Sequence, residues 1–181
     1  MISVRSSRRR AVKVNEVWSY GLLFDQTLDG RTLKVLTVVD DYTGECLVMR
    51  VGGSIKAADV VEALAKAARE RGMPRRLRCD DVLAFIARKV KDWLREVEAV
   101  TLHVEEGDPM EIAPSDSFNG WLRGKLLGGP LFASLEEAVV LLEQWRRAHN
   151  EECQGRSLGT GALAGFARQY VRADRAIAAS A

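Results

Sequence analysis

Cysteine and histidine are scarce: the 181 residues hold three cysteines, Cys46, Cys79 and Cys153, and two histidines, His103 and His149. No pair of cysteines has CxxC spacing and the histidines complete no zinc quartet with them, which argues against a disulfide framework and a structural zinc site. All three thiols are expected to be ordinary packed or surface residues. Long apolar runs are missing too. None approaches the roughly 20 residues of a membrane-spanning helix, and the opening MISVRSSRRR lacks the apolar stretch of a signal peptide. A cytoplasmic protein without membrane association is expected.

Net charge is small, 27 basic residues against 25 acidic ones giving +2, but it is unevenly spread. Residues 1–13 carry Arg5, Arg8, Arg9, Arg10 and Lys13 and no acid, so the rest of the chain is net negative. A basic N-terminal arm, residues 1–14, precedes a near-neutral body. Such an arm can neutralise phosphates and release counterions, which favours nucleic acid without conferring sequence preference. The body has the 47% hydrophobic and 29% charged composition of a globular domain.

From Val17 the chain reads as strands: VWSYGLLFD, LKVLTVVD and CLVMRV are rich in β-branched and aromatic residues and are separated by Asp29-Gly30 and Asp41-Tyr42-Thr43-Gly44. Three sequential antiparallel strands are the simplest reading. A helix follows, with Val60, Ala63, Leu64, Ala67 and Ala68 on one face, ended by Gly72 and Pro74. Then come a short strand in RRLRCD, a helix through Phe85, Val90, Trp93 and Leu94, and a strand alternating at Val100, Leu102 and Val104. A helix near residues 116–127 and a last one opened by the capping box Ser134-Leu135-Glu136-Glu137 complete the domain, residues 15–150. Beyond Glu151 the periodicity fades, and residues 151–181 are expected to form a partly flexible tail. The order of elements suggests an α/β sandwich with a mixed sheet, matching the ribonuclease-H-like fold.

The stretches NEVWSY, DGR, VVDDYTGECL, SFNGWLRGKLL and WRRAHN, collinear from about Asn15 to Gly159, resemble the integrase core of bacterial insertion-sequence transposases, in the DDE transposase and retroviral-integrase-like superfamily. The resemblance implies a ribonuclease-H-like fold with a mixed five-stranded sheet flanked by helices. It also implies an Asp, Asp, Glu triad holding two divalent metal ions for DNA strand transfer. Such a pair, ~3.5–4 Å apart, activates the nucleophile and stabilises the leaving oxygen, and clustered carboxylates supply its hard oxygen ligands.

Carried onto this sequence, the first Asp of the triad falls at Gly21, within WSYGLL. The second motif reads Asp80-Asp81-Val82-Leu83-Ala84-Phe85 and keeps its first carboxylate as Asp80. The third reads Asp116-Ser117-Phe118-Asn119-Gly120, with Asp116 in place of Glu and 35 residues intervening after Asp80. The triad is degenerate: Asp80 and Asp116 are its catalytic and metal-binding remnant, and Gly21 is the lost position. Glycine inside a buried strand also weakens it unless something must approach closely. Asp25 shares the face of Gly21 but lies ~13 Å along the strand, too far to replace the carboxylate. Asp40 and Asp41 read as turn formers.

At helical spacing Asp116, Asn119 and Arg123 share one face, while Phe118, Leu122 and Leu126 share an apolar one. Arg8, Arg9, Arg10 and Lys13, with Asn119 and Arg123, are the candidate DNA contacts. Trp18, Trp93 and Trp145 are expected in the core, Trp121 is left open between DNA stacking and a protein contact, and His103 is expected on a strand face. The expected function is that of a noncatalytic descendant binding DNA, weakly and nonspecifically, or a protein partner, with a second copy of the chain or an intact transposase as candidate partners. No cofactor is expected. The alternative is an active strand-transfer enzyme with a variant site using Mg²⁺ or Mn²⁺. A third reading is an inert remnant.

Overall fold

The computed structural model describes residues 11–79, 84–96, 103–106, 118–120, 122, 124 and 132–157. Three antiparallel strands, β1 (Val17–Gln26), β2 (Thr32–Asp40) and β3 (Cys46–Gly52), open the fold as the alternation predicts. The first hairpin closes at Thr27 and Arg31, whose backbones are joined at 3.0 Å, with Gly30 at φ 82° supplying the left-handed turn residue. In the second, the Asp40 carboxylate accepts from the Tyr42 and Thr43 amides at 2.8 and 3.1 Å, the turn role expected of it.

Helix α1 (Ala57–Arg71) then returns the chain to β4 (Arg76–Cys79), which lies parallel to β1; α2 (Ala84–Glu96) leads to β5 (His103–Glu106), parallel to β4. The sheet is five-stranded and mixed, in the order β3-β2-β1-β4-β5. The last helix, α3 (Leu135–Ser157), runs beyond the Glu151 at which sequence periodicity fades. Its start is capped nearly as expected. The Glu137 amide donates to Ser134 Oγ at 3.3 Å, but the Glu137 carboxylate accepts from the Ala133 amide rather than from Ser134.

Strand alternation divides the core in two. Trp18 and Tyr20 of β1 and Leu36 and Val38 of β2 face α1 and α2, packing on Val60, Leu64, Val90 and Leu94. Leu23, Leu33, Val35 and Val39 face the opposite way, onto Phe118, Leu122 and the α3 residues Ala138, Leu142 and Trp145. Trp18 and Trp145 are fully enclosed, as expected, whereas Trp93 is only half-buried against the first core. Cys46 and Cys79 are both buried. His103 opens β5 opposite Arg76. Trp121 and Leu126 lie outside the described residues.

Candidate functional site

Gly21 sits mid-way along β1, buried, opposite Thr37 of β2. By alternation it belongs to the face of Leu23 and Val35, the one covered by α3 and the helical residues around Phe118. The Phe118 ring packs against both Trp145 and His149, at 5.2 and 5.0 Å between centroids. This packing delivers the next residue, Asn119, to the sheet. Thr37 Oγ1 donates to Asn119 Oδ1 at 2.9 Å, and a Cβ built on Gly21 would come within 3.2 Å of Asn119 Nδ2. The missing side chain at position 21 is thus matched by an amide that fills the space above it.

One pleat earlier on the same face, a second polar group is buried. Ser19 Oγ donates to Asp41 Oδ2 at 2.9 Å, and Arg78 Nη1 of β4 reaches the same oxygen at 2.9 Å. The Asp41 side chain is 2% exposed and that of Arg78 11%. Asp41 therefore departs from the sequence reading: its backbone amide bonds Val17 O at 3.0 Å while its carboxylate ties β1 to β4 instead of shaping the turn. Cys79, which immediately precedes Asp80, is paired with Tyr20, which immediately precedes Gly21.

The C-terminal side of the site is fastened by α3. Asn150 brackets Cys46, accepting from its amide at 2.8 Å and donating to its carbonyl at 2.9 Å. Arg146 reaches the same carbonyl at 3.1 Å, and His149 Nε2 lies 2.9 Å from Gly44 O while its ring stacks on Trp145. Glu143 is bonded by Arg146 and Arg147, and the Arg146 hydrogen bonds above all hold its carboxyl down at about 2. The WRRAHN stretch is thus an anchoring motif for β3.

Of the residues singled out from sequence, Gly21 and Asn119 are brought into contact, and Lys13 is exposed at the base of the arm. Asp25 lies on β1 opposite Leu33, its carboxylate accepting from the Gln26 amide at 2.8 Å. Asp80, Asp116, Arg123, Arg8, Arg9 and Arg10 lie outside the described residues. Sequence reasoning missed Thr37, Ser19 and Arg78. For Ser19 and Thr37 the signal was an uncharged polar residue within a largely apolar strand, whereas Arg78 lies in a strand that alternates basic and apolar residues.

The described residues around Gly21 do not by themselves fit a bridging metal pair. Divalent magnesium or manganese takes hard, preferably anionic oxygen. Position 21 contributes no side chain, Asn119 Oδ1 is engaged by the Thr37 hydroxyl, and the atom nearest the vacant Cβ position is an amide nitrogen. Among the described residues no group of three or more His, Cys, Asp or Glu side chains converges. The geometry provides hydrogen bonding and shape, and we derive no metal-dependent step from it.

Comparison with known proteins is consistent across sequence and structure. The family model described as "Integrase core domain" matches residues 11–109. The chain is 36% identical over 156 residues to the 39.2 kDa protein of insertion element IS476 from Xanthomonas euvesicatoria, covering 86% of this chain and 45% of that protein. It is also 36% identical over 157 residues to the 31.7 kDa protein of insertion element IS407 from Burkholderia multivorans, covering 86% of this chain and 56% of the relative. The chain thus spans about half the length of these relatives. Among solved structures, the catalytic domain of Mos1 mariner transposase superposes with a TM-score of 0.56 at 18% identity, covering 74% of this chain and 71% of that one. That likeness extends to the fold, a ribonuclease-H-like α/β sandwich with a mixed sheet. Among the described residues no helix is long and apolar enough to cross a membrane.

Proposed function

The chain belongs to the integrase core domain family and is related to insertion-element proteins; from that premise we propose that it is a noncatalytic descendant of such a core, binding duplex DNA weakly and without sequence preference. The observation that carries the proposal is the occupied space at Gly21. A core that transfers DNA strands through two metals needs an anionic oxygen at that position, and here an amide bonded to Thr37 stands over a bare backbone. Asp80 and Asp116 without a third ligand are too few to offset the repulsion between two divalent ions. The DNA contacts of this reading are Arg8, Arg9, Arg10 and Lys13 of the arm, with Asn119 and Arg123; a protein partner would be a second copy or an intact transposase.

A nicking and strand-transfer assay on supercoiled DNA tests the loss of chemistry. No product is expected in Mg²⁺ or Mn²⁺. Metal-dependent product that disappears in Asp80→Ala would overturn the proposal and favour the second reading, a variant but active strand-transfer enzyme, which the retained Asp80 and Asp116 motivate. Titration calorimetry with Mn²⁺ gives an independent measure: the Gly21→Asp, Asp116→Glu double variant should bind more tightly than either single variant, because ligands of one metal pair act together.

A further inference from the structure

The arm is rooted by Asn15, an αL residue at φ 59° with every polar group of its side chain used. Its amide nitrogen Nδ2 donates to Arg71 O at 2.7 Å, its Oδ1 accepts from Trp18 Nε1 at 3.0 Å, and its backbone amide donates to Asp40 Oδ2 at 2.7 Å. The Arg75 amide closes the set by donating to Asn15 O at 2.8 Å. These bonds clamp the base of the arm onto the RGMPRR turn between α1 and β4, and Ala11 is already buried where the arm enters. Val17 pairs with Arg76, so β1 and β4 begin side by side at this end of the sheet.

We propose that Lys13, Arg71, Arg75 and Arg76, gathered by Asn15 at the start of β1 and β4, form a phosphate-binding surface for duplex DNA. This rests on the DNA-binding reading above and adds a place to it. Lys13, Arg71 and Arg75 are exposed and Arg76 half-buried. Three acids at this end are withdrawn from the surface: Asp40 is 1%, Glu16 7% and Glu45 8% exposed. Each is also engaged, Asp40 by backbone amides, Glu16 by the Val12 amide at 2.7 Å, and Glu45 by Arg71. Cations therefore face solvent with three of their counter-charges beneath them, Glu70 beside Arg71 being the exposed acid. In sequence Arg8, Arg9 and Arg10 immediately precede Ala11. Gly21 is four residues further along β1, ~13 Å at the rise of a strand, so this surface does not depend on the triad position.

Fluorescence anisotropy with a labelled random-sequence duplex, titrated with full-length protein between about 50 and about 200 mM salt, tests it. The wild type should bind with a steep negative salt slope. The Lys13→Gln, Arg75→Gln double variant alters only exposed side chains and should fold as the wild type by circular dichroism. Its slope should be shallower by ~0.9 per lost phosphate contact, with roughly tenfold weaker binding per contact at the low-salt end. Lys13→Arg, Arg75→Lys should restore both. If the wild type does not bind even at low salt, the DNA-binding reading itself fails. If it binds and the neutralised variant binds with the same affinity and slope, the surface is overturned while the arm remains as the DNA contact. Binding without salt dependence also overturns it, because a phosphate-neutralising surface must release counterions.

Discussion

A Cβ on Gly21 would arrive 3.2 Å from the Asn119 amide nitrogen, so an alanine there obliges that amide to give by a few tenths of an ångström. Two terms oppose each other. Glycine in a strand interior is less stable than alanine by ~0.5–1 kcal/mol through backbone entropy, whereas crowding a packed contact costs ~1–3 kcal/mol. The crowded atom is the nitrogen at the far end of a side chain, which keeps the cost near the low end even though the oxygen of the same amide is tethered by Thr37. Gly21→Ala should therefore fall within about 1 kcal/mol of wild type, and in an Asn119→Ala background it should stabilise by ~0.5–1 kcal/mol. Urea denaturation of the four proteins checks this, and additive effects would show that Asn119 does not constrain position 21. The anomaly of a glycine in a buried strand was legible from the sequence. Its partner was not, because Thr37 and Asn119 are 82 positions apart and nothing local to either announces the other. The Asp41–Arg78 pair was hidden for the same reason. With side chains 2% and 11% exposed, removing one member takes from the other a buried partner of opposite charge. Asp41→Ala should cost ~3–5 kcal/mol, read as a lowered urea midpoint.

Helix α3 shows how an element is tied to a sheet by polar as well as apolar contacts. The spacing of Ala138, Leu141, Leu142 and Trp145 marks an apolar stripe in the sequence, and of these Ala138, Leu142 and Trp145 are buried and Leu141 half-buried. The full length of the helix is not marked in this way. Apolar periodicity is a signal for covered turns and not for helix as such, and α3 reaches Ser157 past the point where the pattern fades. The polar ties are two. Asn150 satisfies both backbone groups of Cys46, and Asn150→Ala should cost about 1–3 kcal/mol by leaving a buried amide without that partner. Glu143 supplies a pH signature. Its carboxyl is held at about 2, against 4.5 unperturbed, first by hydrogen bonds from Arg146. A folded pKa below the unfolded one means that this stabilisation is complete above about 4.5 and is lost as pH falls through about 2. Glu143 is one-third exposed, so solvent screening keeps the effect modest. Glu143→Gln should flatten the acid limb of stability between these values, and an unchanged limb in acid titrations would refute the coupling.

At the scale of the molecule, what the sequence made legible was the meander and the class. Alternation marks β1, β2 and β3 directly, and the strand-helix-strand succession after them implies a mixed sheet. The docking of β4 beside β1 rather than β3 is a tertiary choice, made where Leu77 and Cys79 join Trp18 and Tyr20 beneath α1 and α2. The consequence is that β1 and β2 serve two cores at once: Trp18, Tyr20, Leu36 and Val38 on one face, Leu23, Leu33, Val35 and Val39 on the other. Neither core can dissolve without exposing the back of strands the other needs, so the two should unfold together. Trp18 and Trp145, each enclosed in a different core, are natural reporters. In one variant retaining only Trp18 and another retaining only Trp145, with the remaining tryptophans changed to Phe, absolute midpoints will shift with the lost packing. Within each variant, however, the fluorescence and far-ultraviolet circular dichroism transitions in urea should coincide, as they do for a two-state domain. A Trp145 transition that precedes the loss of secondary structure would mean that α3 and its core open separately. In that case the cover over Gly21, built from Phe118, Asn119 and Trp145, would be a detachable element rather than part of a single cooperative fold.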